Sequence, residues 1–505
     1  MNQLKAGALL NYVVIALNMV VGLIYTPYML RMMGQSEYGL YSLVASVISY
    51  LTILDLGLGN AVIRYTAKFR AEGKTTEQYE MFGMFLLLYI IIGIIAFVGG
   101  LGLYFNVDTL FGATMTHVEL DKARIMMLFL VFNLAFSFPM SIFGSVITAY
   151  ERFVFPKAVN IVRILLNTAI MICLLEMGYK AIAMVVLQTV FNVITLLLNY
   201  FYCKYKLHIK IFFHRFKWEF LREVAFYSFW IFLNVIMDRI YWSTGQFVLG
   251  TFVGTAAVAI FAIAIQLEQM YMQFSTAISG VFLPKVTGMV ARNDNRHEIS
   301  NLFIRTGRIQ YIVIATILAG FIVFGRDFII LWAGKEFESA YPIALLFFAS
   351  LATPMIQNLG ISILQARNQM KFRSLLYIVI AAFSLVFQIV LAPKYGGFGC
   401  AMAIAGALFV GQGLIMNIYY HIRQGLDIIR FWTEIIKMSI VPIVLCVISL
   451  YLLQDHHLED WTSLAKCIAI FASIYVPLFF CFSMNRFERD LFIQPVSMIL
   501  RKIRK

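Results

Sequence analysis

Charge is what this sequence has least of. Asp, Glu, Lys and Arg make up 13% of its 505 residues and 61% are hydrophobic, whereas a globular protein carries roughly 25% charged residues. A large soluble helical protein is thereby excluded, because no soluble core needs so many uninterrupted apolar spans. The six cysteines (Cys173, Cys203, Cys400, Cys446, Cys467, Cys481) form no CxxC pair, and most lie in apolar runs, where they act as small apolar residues. Neither a disulfide framework nor a metal site is indicated. The seven histidines are scattered in loops, and the adjacent His456 and His457 have no helix-spaced partners. There is no Walker loop and no GxSxG, and the loops leave no room for a soluble catalytic domain. No cofactor is expected, and the chain is not expected to be an enzyme.

What the chain does have is hydrocarbon. Fourteen apolar runs fall at about 8–30, 39–60, 81–105, 123–149, 158–178, 180–202, 224–250, 256–284, 308–332, 342–366, 373–393, 396–420, 437–454 and 464–484. Each is near the 20 residues that cross a bilayer core of roughly 30 Å. The first follows "MNQLKAG", is too long for a signal-peptide core and has no A-x-A site, so it is read as retained. The net charge is +14, and its placement argues against a nucleic-acid partner. With a cytoplasmic N-terminus, 30 of the 40 Lys and Arg fall on the cytoplasmic side and eight outside, while Arg163 and Arg239 lie within spans. That asymmetry predicts a plasma (inner) membrane protein with both termini in the cytoplasm. The basic loop 203–223 and the tail "RKIRK" (501–505) are expected on anionic headgroups.

An internal repeat organises the spans. "GQSEYGLYSLVASVISYL", from Gly34, and "GTAAVAIFAIAIQLEQMY", from Gly254, align at an offset of 220 residues without a gap. Gly34 meets Gly254 and Tyr41 meets Phe261, and the alignment runs on to the basic loops. Six spans per copy is an even number of crossings, so the copies keep one orientation, as in the parallel repeats of rocking transporters. The expected fold is an all-α polytopic membrane protein of about fourteen transmembrane helices. Two six-helix lobes (1–202 and 224–420) flank the linker 203–223, and residues 421–505 add two C-terminal helices and a basic tail.

The stretch "MLRMMGQSEYGLYSLVASVISYLTILDLGLGNAVIRYTAKFRAEGK" (29–74) resembles the second-span region of prokaryotic polysaccharide or oligosaccharide flippases. These belong to the multidrug/oligosaccharidyl-lipid/polysaccharide exporter superfamily. "DLGLGNAVIRY" (55–65) and "VGTAAVAIFAIAIQL" (253–267) carry the resemblance further. It implies two lobes in a V around a lumen and movement of a polyprenyl-pyrophosphate-linked sugar unit to the outer leaflet. It also implies a groove for the polyprenyl tail on the two extra C-terminal helices. The implied partners are that lipid-linked oligosaccharide, membrane lipids, H+ or Na+ as coupling ion, and other polysaccharide-assembly proteins.

Polar residues inside spans are the candidate machinery, since they are costly there unless they face protein or water. Gly57 and Gly59 suggest close backbone approach. Asp55 and Arg163 fall at similar depth by helix rise, so an Asp55–Arg163 pair competes with a direct role for Asp55 in cargo or proton handling. In span seven, Asp238, Arg239, Trp242, Ser243 and Gln246 fall within an arc of about 140° on a continuous helix. Either Asp238 neutralises Arg239, or the stripe faces the lumen. In the second case Arg239 meets pyrophosphate with its guanidinium fork and Trp242 offers a flat face to sugar. In span eight, Gln266, Gln269 and Gln273 form one polar face, and Glu268, Ser275 and Ser279 form another. Glu268, near the midplane, is a proton-coupling candidate. Asn18 is added as a lumen contact because its counterpart in the repeat is Asp238. Asn11, Asn133, Gln188, Asn192, Gln357 and Asn358 read as interhelical hydrogen-bonding groups. Gly22, Pro27, Pro139 and Pro354 read as sources of bends.

The expected substrate-binding residues are therefore Arg239, Trp242, Gln246, Asn18 and Arg163, and the ion-coupling residues Asp238, Glu268 and Asp55. Without an ATP site, uphill work has to come from an ion gradient or from consumption of product outside. Two other functions compete. A multidrug or cation exporter of the same fold would favour an acidic lumen. A membrane-embedded sugar polymerase or glycosyltransferase would carry a long catalytic outer loop.

Overall fold

Backbone polar groups in hydrocarbon have no water to bond, so apolar runs fold as helices that satisfy themselves. The computed structural model describes residues 3–213, 218–279, 288–289, 296–367, 369–454, 458–491 and 493. His456, His457, the tail 501–505 and the side chain of Ser279 lie outside the described set. The helices are α1 (Gln3–Met33), α2 (Gln35–Leu51), α3 (Leu58–Ala71), α4 (Thr75–Phe105), α5 (Val107–Phe111), α6 (His117–Ala149), α7 (Val154–Glu176), α8 (Ala181–Phe201), α9 (Trp218–Trp242) and α10 (Thr244–Phe252). They continue with α11 (Thr255–Ser279), α12 (Arg296–Ala333), α13 (Ala340–Ile356), α14 (Leu359–Ala366), α15 (Lys371–Leu408), α16 (Met416–Ile422), α17 (Ile428–Leu452) and α18 (Trp461–Leu478). The chain forms two compact units, Met1–Ala262 with Leu385–Cys400, and Ile263–Ser384 with Ala401–Lys505.

Eleven helices among the described residues are long and apolar enough to cross a bilayer, and the pair α13–α14, bent by 43°, brings the number to twelve. The expected fourteen runs are not all recovered as single crossings. Lys371–Ile422 counts once, yet Gly396 adopts φ 57° and ψ −139°. A Cβ on Gly399 would lie 2.5 Å from the Leu391 carbonyl oxygen. Eight residues of straight helix would separate those positions by about 12 Å. The chain therefore doubles back here, between the predicted spans eleven and twelve. Span seven, expected as one helix, is built as α9 and α10.

The 220-residue offset is visible in the helix starts. Gly34 has φ 84° and α2 begins at the next residue; Gly254 has φ 125° and α11 begins at the next residue. Both positions need the left-handed half of backbone space, where glycine is unstrained.

Breaks in the spans have local causes. At Gly57 the backbone conformation itself calls for glycine. After a 3₁₀ turn (Thr52–Asp55), Leu56 (φ 53°) and Gly57 (φ 71°) are left-handed and reset the helix into α3. Gly59 does meet a neighbour, since a Cβ there would lie 3.2 Å from Ser145 Oγ. Pro139 sits inside α6 without ending it. It leaves the Ala135 carbonyl without its helical donor, and a Cβ on Gly93 of α4 would lie 2.8 Å from that oxygen. Pro354 lies at the end of α13, where the chain bends into α14. Ser275 Oγ donates to the Met355 carbonyl there at 2.8 Å.

Candidate functional site

In the N-terminal unit, α1 and α7 run parallel in a fixed register. A Cβ on Gly7 would touch the Phe153 side chain, Lys157 Nζ donates to Asn11 Oδ1 at 2.7 Å, and Tyr28 donates to Glu176. Carrying that register along both helices places Arg163 within a turn of Asn18 in level. Arg163 is half-buried and Asn18 exposed, and Arg163 has no ion-pair partner among the described residues. The Asp55–Arg163 pair is not formed. Asp55 instead accepts from Tyr89 Oη at 3.1 Å, beside the break into α3.

The other amides do the work expected of them. Asn192 donates to Asn133 Oδ1 and to Ser137 Oγ, both at 2.7 Å, and Tyr41 donates to Gln188 at 3.1 Å.

The break between α9 and α10 changes the predicted polar stripe. Helical phase carries Asp238 and Arg239 up to Trp242, but Ser243 lies in the break. Ser243 is buried and accepts from Ser49 Oγ at 2.8 Å, and Tyr50 bonds Thr244 at 2.6 Å. Ser243 therefore leaves the stripe for a packed contact with α2. Asp238 is exposed, whereas Arg239, Trp242 and Gln246 are half-buried. The Arg239 Nε–H is buried with no acceptor among the described residues.

On α11 the two polar faces separate cleanly. Gln269 is exposed and Gln266 and Gln273 are half-buried, whereas Glu268 is 1% exposed and Ser275 is likewise buried. Neither carboxylate oxygen of Glu268 has a hydrogen-bond partner among the described residues. The same side of α11, one turn on, places Tyr271 Oη 3.4 Å from the Ile314 carbonyl of α12. Glu268 thus points into the packed interior of the second unit.

Several interior polar residues escaped the sequence reading. Arg308 of α12 donates through Nε to Glu488 Oε1 (2.5 Å), through Nη2 to Glu488 Oε2 (2.9 Å) and through Nη1 to Glu434 Oε2 (2.6 Å). Asn417 Oδ1 accepts from Gln357 (2.7 Å) and from Trp432 Nε1 (2.9 Å), while its amide donates to the Gln412 and Gly413 carbonyls. Those carbonyls lie in a π turn, Phe409–Ile415, which frees them from the α-helical ladder.

Between α12 and α18 runs a cavity of about 300 Å³, lined by Gly320, Phe324, Phe328, Ile468, Phe471 and Val476 among others. Its wall is almost wholly apolar. No group of His, Cys, Asp and Glu among the described residues has the arrangement of a metal site.

This fold recurs in solved structures. It is similar to the lipid II flippase MurJ in an inward closed conformation, with TM-score 0.70 and 15% identity, covering 97% of this chain and 99% of that one. It is also similar to the MATE multidrug transporter DinF-BH, with TM-score 0.56 and 17% identity, covering 84% of this chain and 94% of that one. The chain is a multi-pass membrane protein with the same fold as these two structures. In sequence it is 19% identical over 491 residues to the uncharacterized membrane protein EpsK of Bacillus subtilis (strain 168), covering 95% of this chain and 94% of that one. Residues 4–290, more than half of the chain, match the family of polysaccharide biosynthesis proteins, and the chain belongs to that family.

Proposed function

We propose that the protein is a flippase that carries a polyprenyl-pyrophosphate-linked oligosaccharide repeat unit from the cytoplasmic to the outer leaflet by alternating access. The observation that carries this proposal is the apolar groove between α12 and α18. Such a groove suits a hydrocarbon tail that stays in the bilayer while the head crosses, and a soluble drug or cation has no such tail.

The head group would then meet the interior polar residues. Arg239, with an Nε–H lacking an acceptor, suits a diphosphate oxygen. Trp242 stacks against sugar, Gln246 and Asn18 bond hydroxyls, and Arg163 is a second cation for the diphosphate. The lobes 1–202 and 224–420, joined by 203–223, are the bodies that rock.

Coupling to H+ or Na+ falls first to Glu268. An ionised carboxylate buried without a counter-charge costs several kcal/mol, so Glu268 takes up a proton or a cation. Asp55 and Asp238 are the further coupling candidates. Location in the plasma (inner) membrane with both termini cytoplasmic follows from the bias of Lys and Arg, and other polysaccharide-assembly proteins are the partners that use the product.

Deleting the gene in its host tests the proposal. Lipid-linked repeat units should accumulate, stranded on the cytoplasmic leaflet. Repeat units that reach the outer leaflet at the normal rate in the deletion strain rule the proposal out.

A further inference from the structure

A cavity of about 640 Å³ opens in the N-terminal unit where α2, α6, α7 and α8 end together. The turn that leads into it is held by backbone hydrogen bonds. Gly178 (φ 87°) closes α7, with the Gly178 and Tyr179 N–H groups bonding the Leu175 and Leu174 carbonyls at 2.9 and 3.0 Å. That turn presents Tyr179 and Lys180 at the mouth, and α8 starts at once at Ala181.

The cavity has two chemical halves. Its wall is the apolar face of α8, with Ile182, Val186 and Val190, together with Leu174. Its rim carries Lys180, Lys122 and Glu37. Lys122 and Glu37 are an ion pair. Lys180 is exposed and has no ion-pair partner among the described residues. Of the two rim lysines, Lys180 is therefore the one outside an ion pair among the described residues.

Tyr and Lys at the end of an apolar helix mark the membrane–water boundary. A ligand held across that boundary needs an anionic head and a hydrocarbon body. We propose that this cavity is a binding site for an anionic phospholipid of the surrounding bilayer. Its phosphate lies against Lys180, with the paired Lys122 beside it, and one acyl chain runs down the face of Ile182, Val186 and Val190. The inference needs the chain only to span a membrane and does not depend on the transported cargo.

The test uses the full-length protein in nanodiscs of phosphatidylcholine doped with a phosphatidylglycerol that carries a photoactivatable acyl chain. After illumination, the label should concentrate on peptides within 174–190. Unlabelled phosphatidylglycerol should compete, and added phosphatidylcholine should not. Lys180→Glu should cut labelling of those peptides at least tenfold, Val186→Trp should block it by filling the cavity, and Lys466→Glu on α18 should leave it unchanged. Melting temperatures of all three variants in phosphatidylcholine alone check their folding. Equal labelling of 174–190 in wild type and Lys180→Glu overturns the proposal. Competition by undecaprenyl phosphate but not by phosphatidylglycerol also overturns it, because the site would then belong to the carrier lipid.

Discussion

Arg308 and Glu488 form a bidentate ion pair inside the second unit. Two parallel N–H···O bonds of 2.5 and 2.9 Å join them, and their side chains are 6% and 0% exposed. Glu434 of α17 takes the third guanidinium nitrogen. One cation of α12 thus holds α17 and the segment that follows α18. Removing one member of such a cluster strands a buried charge, which costs about 3–5 kcal/mol. Glu488→Leu should therefore lower the melting temperature sharply and open the segment after α18 to protease. Arg308→Met combined with Glu488→Leu should recover much of the loss, and thermal unfolding in detergent measures both.

A second prediction concerns the break in span two. Gly57 is left-handed at φ 71°, a conformation that costs an L side chain roughly 1–2 kcal/mol. Gly57→Ala should destabilise the protein by about that amount, whereas Gly59→Ala meets only the Ser145 and Tyr89 side chains and should cost less. Chemical denaturation in micelles orders the two.

The groove supports a prediction that separates fold from transport. A Cβ on Gly320 would meet nothing within 4 Å, so Gly320→Phe should place a ring in the groove without disturbing the backbone. The melting temperature should stay within a few degrees, because a surface change away from packing alters stability by about 0.5 kcal/mol or less. Flipping of a polyprenyl-linked cargo should fall at least tenfold. A water-soluble cargo without a tail would be unaffected.

The cap of α18 carries a pH signature. Asp460 accepts from the Ser463 side chain, from the Thr462 hydroxyl and from the Ser463 N–H at 3.2 Å, and these bonds, the Ser463 side chain foremost, pull its carboxyl down to about 2. A carboxyl with a depressed folded-state pKa contributes stability that is complete above the ordinary value near 4 and lost as pH falls towards 2. Asp460→Ala should remove that contribution at pH 7 and narrow the gap to wild type as pH falls from about 4 to about 2.

Much of the fold was legible because hydropathy, basic loops and the 220-residue offset are all written along the chain. Gly34 and Gly254 are where that reading is sharpest, since each stands immediately before a helix start with positive φ. The reversal at Gly396 was also legible, in the gap between the apolar runs 373–393 and 396–420. The site was less so. A helical wheel over span seven assumes one continuous helix, and the break at Ser243 turned that residue towards Ser49. Asp55 and Arg163 share a depth, but depth alone does not choose partners, and Tyr89 took the carboxylate. Arg308 was not singled out, because its partners, Glu434 and Glu488, lie 126 and 180 residues away, and nothing local announces them.

The central claim is movement of a diphosphate-linked sugar with Arg239 in contact with the head group. The most direct measurement is translocation of a fluorescent polyprenyl-pyrophosphate-linked oligosaccharide in proteoliposomes. Wild type, Arg239→Lys, Arg239→Ala, the single variants Asp238→Asn and Arg239→Gln, and the double variant that combines those two are compared. Wild type should flip the lipid, the lysine variant should be slower because it loses the planar fork, and the alanine variant slower still. The double variant should remain defective. Wild-type protein that leaves the lipid in its original leaflet contradicts the transport claim. Wild-type rates in the double variant, with both single variants dead, contradict the role given to Arg239.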